Sequence, residues 1–162
     1  MVSIRLKNII DEVFQDYKKP SMMLATCKCD WKCCIEENLD ISICQNSDLS
    51  KQKSINIPAD IIIGRYINNP LTNAIIIGGL EPFLQFKEIL EFVKVFREFS
   101  KDDLVIYTGY YPYEIKNYIQ ELKKYPNIIV KFGRYKENHN KVFDMILGIW
   151  LPSDNQYAVK IS

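Results

Sequence analysis

The residues of this chain best suited to chemistry are five cysteines in one short stretch: Cys27, Cys29, Cys33, Cys34 and Cys44. They follow the apolar run 22–25, which is typical of the end of a buried strand. The stretch therefore predicts a loop that presents several thiols together at the edge of a sheet. Clustered thiols bind a metal or form disulfides, and an odd number of them in a reducing compartment favours a metal.

The composition gives no sign of a nucleic acid or a membrane as partner. Apolar residues make up 48% of the 162 residues, charged residues 25%, and the formal net charge is +1. The N-terminus lacks the unbroken apolar stretch of a signal peptide, and the apolar runs are too short to span a membrane. We therefore expect a cytoplasmic protein, in which thiols stay reduced.

Two kinds of metal site use three or four thiolates from one loop, namely zinc sites and iron–sulfur clusters. A structural zinc site usually has two closely spaced cysteine pairs, or cysteine pairs with histidines. Here Cys44 stands alone, and the only histidine, His139, lies far along the chain. A loop with three ligands leaves one metal position open, which suits a [4Fe–4S] cluster that binds a substrate at its fourth iron.

Buried strands and amphipathic helices alternate in the second half of the chain. Apolar runs at 74–77, 104–108 and 127–132 predict strands, and a glycine follows each of them. Apolar residues at helical spacing predict helices over 86–96 and 112–122. This order is typical of parallel βαβ units.

We predict one α/β domain over residues 1–162, a short partial (βα) barrel with a mostly parallel sheet. The other expected elements are strands at 2–6, 22–26 and 157–161, a helix at 59–67, a helical turn or loop at 9–14 and an exposed loop at 36–53. Ligands of parallel α/β sheets bind at the carboxyl ends of the strands. The cysteine loop and three glycine turns all follow strands, so four segments are expected to converge on one rim.

The cysteine spacing resembles that of the radical S-adenosylmethionine (radical SAM) superfamily, and specifically the short activating proteins of anaerobic ribonucleotide reductase. That family carries C-x3-C-x2-C, commonly followed by an aromatic residue and asparagine. Cys29 and Cys33 have the first spacing, and Cys44-Gln45-Asn46 has the closing asparagine. The second spacer is ten residues long instead of two, and Gln45 replaces the aromatic residue.

Four further segments resemble the family in the same order along the chain. They are Gly78-Gly79-Leu80-Glu81-Pro82 (G-G-E-P in the family), Tyr107-Thr108-Gly109-Tyr110 (T-G-Y), Lys131-Phe132-Gly133-Arg134-Tyr135 (V-D-G-R-F) and Ser153-Asp154-Asn155-Gln156 (S-S-N-Q). Phe132 stands where the family often has aspartate. With the cysteine loop, the similar segments extend roughly over residues 22–160.

The resemblance implies a [4Fe–4S] cluster that is held by Cys29, Cys33 and Cys44 and binds S-adenosylmethionine at its fourth iron. Its implied activity is the reductive cleavage of S-adenosylmethionine to a 5′-deoxyadenosyl radical, which removes hydrogen from a glycine of a large partner enzyme. The implied partners are a glycyl radical enzyme such as anaerobic ribonucleotide reductase, and an electron donor such as a flavodoxin or ferredoxin. No catalytic residue is assigned. The implied cofactor-binding residues are Asn46, Gly78, Gly79, Glu81 and Thr108.

Two other functions stay open at this point. A radical SAM protein of the same architecture could act on another peptide or a small molecule. A non-catalytic zinc or iron–sulfur module could instead serve as an interaction subunit.

Individual residues also have simpler interpretations. Cys27 is expected to be a small buried hydrophobe, and Cys34 is the main rival of Cys33 as a ligand. The pair 78–79 could be only a tight turn, and Glu81 could only favour the start of a helix. Solvent exposure is an alternative for four polar residues, Lys131, Arg134, His139 and Asn155.

Overall fold

A computed structural model describes residues 1–162 as ten strands and five α-helices, with short 3-10 turns between some of them. The strands are β1 (Ser3–Leu6), β2 (Asn8–Val13), β3 (Ser21–Ala25), β4 (Ile55–Pro58), β5 (Ala74–Gly78), β6 (Asp103–Tyr107), β7 (Ile128–Phe132), β8 (Val142–Asp144), β9 (Ile149–Leu151) and β10 (Tyr157–Lys160). The helices are α1 (Lys32–Glu36), α2 (Ser47–Lys51), α3 (Ala59–Ile67), α4 (Phe86–Phe99) and α5 (Lys116–Leu122).

Six strands form the central sheet, in the order β10-β7-β6-β5-β3-β2. The four inner strands are parallel, and each edge strand is antiparallel to its neighbour. The inner strands are short apolar runs that are largely buried, as a parallel sheet covered on both faces requires. The two edge strands do not pair with each other, so the sheet stays open. The predicted α/β class, a partial (βα) barrel with a mostly parallel sheet, is confirmed.

The sheet separates two apolar cores. Helices α3, α4 and α5 cover one face, where 24 buried residues pack together, Ile77 and Phe92 among them. On the other face eight buried residues form a smaller cluster, in which Ile76 packs with Leu147 and Leu151 of the β8–β9 hairpin. With both faces covered, the carboxyl ends of the parallel strands meet at one rim, and the site segments lie there.

The N-terminal third differs from the expectations in three places. Residues 9–14 lie mostly in β2, an edge strand rather than a helical turn or a loop, and half-buried and exposed side chains alternate along it. Residues 36–53 are not an irregular loop, since they contain a 3-10 turn at Ile41–Ile43 and helix α2. Strand β4, which the sequence did not predict, pairs with β1 in a separate two-stranded sheet.

Helix α4 shows why the second half was easier to predict. Its 14 residues bury one stripe at helical spacing, namely Ile89, Phe92, Val93 and Phe96.

No helix of the structure combines the length and apolar character needed to cross a membrane. The single domain over 1–162 stays a prediction.

Candidate metal centre

Hydrogen bonds from the end of β5 fix the start of the cysteine segment. Thr26 donates from its backbone N–H and its Oγ1 to the carbonyl of Gly78, at 2.8 and 2.9 Å. The N–H of Cys27 donates to Oε1 of Gln85 at 2.8 Å, and the N–H of Glu81 donates to the carbonyl of Lys28 at 2.6 Å. The chain therefore continues beside the β5 loop after β3 ends, and it enters the region of Cys29 along a defined path.

Four of the five thiols lie in partly exposed residues, and only Cys34 is buried, at 4% exposure. The expectation that Cys27 is the buried one is wrong. Cys33 and Cys34 are consecutive residues of α1, and only Cys34 is buried, although the two Sγ atoms lie 4.0 Å apart. None of the cysteines forms a disulfide.

The three predicted ligands lie close enough for the charge of one thiolate to affect the pKa of another. Burial raises the pKa of the Cys29 thiol to about 11, and nearby Cys44 adds to the shift. Burial also raises the pKa of Cys33 to about 12, with further contributions from Cys34, Cys44 and Cys29. Thiols in this state are protonated near neutral pH, and metal ligation displaces their protons.

A backbone hydrogen bond reaches the sulfur of one predicted ligand. The N–H of Trp31 donates to Sγ of Cys29 at 3.3 Å, the kind of bond that tunes iron–sulfur potentials. An iron–sulfur cluster takes one cysteine thiolate at each of several irons.

The glycine pair at the end of β5 is required by the fold itself. Gly79 has φ of +84°, and a Cβ there would lie 2.9 Å from Cδ2 of Leu49 and 3.2 Å from Cβ of Ala25. A Cβ on Gly78 would lie 3.1 Å from Cβ of Tyr107. The turn interpretation thus holds, and α2, which follows Cys44, packs directly over Gly79 through Leu49.

Substituting Gly79 with alanine is expected to lower the free energy of unfolding by about 1–3 kcal/mol, because the new Cβ is strained and meets Leu49 and Ala25. Gly64, inside α3, is the matched control, since a Cβ there meets nothing within 4 Å. Gly64→Ala is expected to gain about 0.5–1 kcal/mol from its better helix propensity. Chemical unfolding of both variants measures the difference, and equal stabilities would contradict the packing over Gly79.

Glu81 and Thr108, both predicted site residues, are joined directly. Oε1 of Glu81 accepts from Oγ1 of Thr108 at 2.7 Å and from the N–H of Phe83 at 3.1 Å, and Oε2 accepts from the N–H of Gly109 at 2.9 Å. Burial raises the pKa of Glu81 to about 7, although these three bonds oppose the shift. Glu81 thus does begin a 3-10 turn, and it also holds the β5 and β6 loops together beside the cysteine segment.

Asn46, the remaining predicted site residue, directly precedes α2 and lies close in sequence to Cys44. It is half-buried, and its side chain does not cap the helix. The structure therefore places Asn46 beside the rim without giving its amide a partner.

Two charged residues for which the sequence alone allows solvent exposure are buried. Lys131 is 7% exposed and Arg134 is 4% exposed, and Asn155 is half-buried with its amide donating to the carbonyl of Arg134 at 2.7 Å. Only His139 is exposed as expected, paired with Asp154. The available signal was the position of Lys131 inside the apolar run 128–132, where solvent would be absent from a central strand.

Lys131 is the most unusual charge at the rim. Its Nζ donates to the carbonyl of Gly133 at 3.1 Å, a single protein acceptor for three N–H groups. Burial lowers the pKa of Lys131 to about 8, and the neighbouring Glu81 and Cys33 oppose this shift. The rim therefore combines the thiols with a buried amine that can accept a negatively charged group.

The comparisons with known proteins agree with an iron–sulfur site. The family described as 4Fe-4S single cluster domain matches residues 18–156, which include every cysteine and all four parallel strands. No curated protein and no solved structure is significantly similar to the chain. The matched family decides the kind of centre, because its members hold a [4Fe–4S] cluster. This chain therefore belongs to the 4Fe-4S single cluster domain family and is an iron–sulfur protein.

Proposed function

We propose that the protein is a radical SAM enzyme, which cleaves S-adenosylmethionine reductively and passes the resulting 5′-deoxyadenosyl radical to a glycine of a partner protein. The proposal rests on the position of Lys131. Its buried ammonium group has a single protein acceptor and lies at the same rim of the parallel sheet as the three predicted thiol ligands. Three protein ligands leave one iron of a [4Fe–4S] cluster open. A buried amine suits a ligand that brings a carboxylate to that iron.

In this proposal the residues at the rim hold the cluster, bind the ligand and keep the loops in place. Cys29, Cys33 and Cys44 would hold three of the irons, and the ammonium group of Lys131 would pair with the methionine carboxylate. Glu81 would keep the β5 and β6 loops in place through its three hydrogen bonds. When bound in its reduced form, the cluster would provide the electron for reductive cleavage of S-adenosylmethionine. The chain itself binds, orients and shields the ligand.

The proposed partner is a large glycyl radical enzyme such as anaerobic ribonucleotide reductase, and the proposed electron donor is a flavodoxin or ferredoxin. Both follow from the family resemblance of the motifs. Exposed apolar side chains beside the cysteine segment support a protein partner, since Ile35 is 68%, Ile41 43% and Ile43 49% exposed.

Anaerobic reconstitution followed by dithionite and S-adenosylmethionine tests the function. Methionine and 5′-deoxyadenosine are expected in equal amounts, detected by mass spectrometry. A sample without dithionite and a Cys33→Ser sample are the controls, and both are expected to give neither product. A fully loaded cluster that yields no 5′-deoxyadenosine would contradict the proposal.

The same exposed isoleucines favour one second candidate, an iron–sulfur module that binds another protein without turnover. They lie in the long spacer between Cys33 and Cys44, where the chain departs most from the cysteine pattern it resembles. This candidate would be supported if the protein with a stable cluster bound a partner protein but did not cleave S-adenosylmethionine.

A further inference from the structure

We infer that Tyr110, Glu114 and Arg134 form a clamp that holds the segment 30–36 in the conformation in which Cys29 and Cys33 bind the cluster. These three residues, called the rim clamp below, lie in the β6–α5 and β7–β8 connections. They are positioning residues, since none of them is proposed to touch the cluster. The inference depends on Cys29 and Cys33 being ligands, which is part of the proposed function.

Arg134 is the centre of the rim clamp. Its Nη1 and Nη2 donate to the two oxygens of Glu114 at 2.8 and 2.5 Å, which is a bidentate ion pair. The guanidinium also lies over the rings of Tyr110 and Tyr111, at 5.8 and 5.2 Å. The pair lowers the pKa of Glu114 to about 2 and raises that of Arg134, so both groups are charged at neutral pH.

Three links join the rim clamp to the cysteine segment. The hydroxyl of Tyr110 donates to Oδ2 of Asp30 at 2.5 Å. Nζ of Lys32 lies 3.4 Å from Oε1 of Glu114 and 4.7 Å from the centre of the Tyr110 ring. Nε of Arg134 lies 3.2 Å from Oε2 of Glu36, close enough for an ion pair but outside good hydrogen-bond alignment.

The linked residues enclose a strained turn between two of the proposed ligands. Trp31 has φ of +58°, a region in which a bulky side chain is a genuine outlier. Asp30 and Lys32, which flank it, are the residues held by Tyr110 and Glu114. Such strain persists only when the surroundings fix it. This conformation also brings the N–H of Trp31 to Sγ of Cys29 and starts α1, which carries Cys33.

The test compares variants that loosen the clamp without removing a large side chain. Tyr110→Phe removes only the hydroxyl that binds Asp30, and Glu114→Gln removes the charge between Lys32 and Arg134. The matched controls are Tyr118→Phe and Glu121→Gln on α5, where Tyr118 is 41% exposed and Glu121 pairs only with exposed Lys124. The readouts are iron per chain after anaerobic reconstitution, the rate of iron release to a chelator, and the electron paramagnetic resonance spectrum of the reduced cluster.

Each clamp variant is expected to release iron about tenfold faster than the wild type and to change the spectrum, as loss of an outer-shell contact does at metal sites. The control variants are expected to match the wild type. Asp30→Ala combined with Tyr110→Phe is expected to be no worse than Asp30→Ala alone, because Asp30→Ala already removes the carboxylate that accepts from Tyr110. A normal release rate and spectrum in both clamp variants would overturn the inference, as would simple additivity in the double variant.

The outcome separates the clamp from the proposed function, because none of these readouts uses S-adenosylmethionine. Fast iron release from the clamp variants supports the clamp even if the wild type makes no 5′-deoxyadenosine. Full iron retention by both Cys29→Ser and Cys33→Ser would overturn the clamp, since neither of the residues that it positions would then be a ligand.

Discussion

Replacing Cys33 with serine is expected to reduce the iron bound after reconstitution to near zero, whereas replacing Cys34 is expected to leave most of it. The two residues are consecutive, so the sequence spacing alone separates them weakly. In the structure Cys33 is partly exposed and lies within electrostatic range of Cys29 and Cys44. Cys34 is buried inside α1, and its Sγ lies 4.0 Å from that of Cys33. Cys33→Ser therefore removes one of the proposed cluster ligands, whereas Cys34→Ser removes a thiol that is not proposed to bind the cluster.

The same result is expected for Cys29→Ser and Cys44→Ser, because each change removes one of the three protein ligands of the cluster. Cys27→Ser is the matched control, since Cys27 belongs to the same segment, is partly exposed like the proposed ligands, and is not proposed as a ligand. Iron and sulfide per chain and the visible absorption of the cluster measure the outcome. Iron lost from Cys34→Ser but kept in Cys33→Ser would exchange their roles and refute the ligand set.

Local periodicity explains why the second half of the fold could be predicted. Strands β5, β6 and β7 are continuous apolar runs, and the stripe of α4 repeats at helical spacing, so each pattern is complete within its own segment. Strand β4 is different, because its residues are half-buried or exposed and it becomes a strand only by pairing with β1. Strand propensity depends on such neighbours, and a single sequence does not contain them.

The candidate site also contains features that local sequence predicts and features that depend on tertiary contacts. The thiols are adjacent in sequence, so their types and spacing were enough to predict a metal site. Glu81 and Thr108 were predicted separately, but their hydrogen bond joins residues of two different strand ends. From the sequence alone Arg134 could equally be solvated, because its partner Glu114 lies on another loop and only folding brings the two together. Charges that meet across a sheet rim leave no periodic signal in the chain.

Lys131→Met is expected to weaken the binding of S-adenosylmethionine to the reconstituted protein by about thirtyfold or more, the cost of truncating one partner of a buried charge pair. Methionine keeps much of the length and apolar volume of the lysine, so the loss measures the charge. Equilibrium binding of S-adenosylmethionine without reductant provides the measurement, and Lys123→Met, at an exposed position after α5, is the control. Unchanged affinity in Lys131→Met would remove the proposed carboxylate contact.

The same substitution is expected to stabilise the metal-free protein, by up to about 3 kcal/mol near neutral pH. Burial lowers the pKa of Lys131 from 10.5 to about 8, so below about pH 8 folding carries the full cost of a buried charge. That cost disappears as the pH rises from about 8 toward 10.5, because the folded amine is then neutral while the unfolded one is still charged. The stability gap between Lys131→Met and the wild type should therefore narrow over this range, and chemical unfolding at several pH values measures it. If Lys131→Met binds S-adenosylmethionine more weakly but is more stable than the wild type, the charge of Lys131 serves ligand binding. If both the affinity and the stability fall, Lys131 has a structural role.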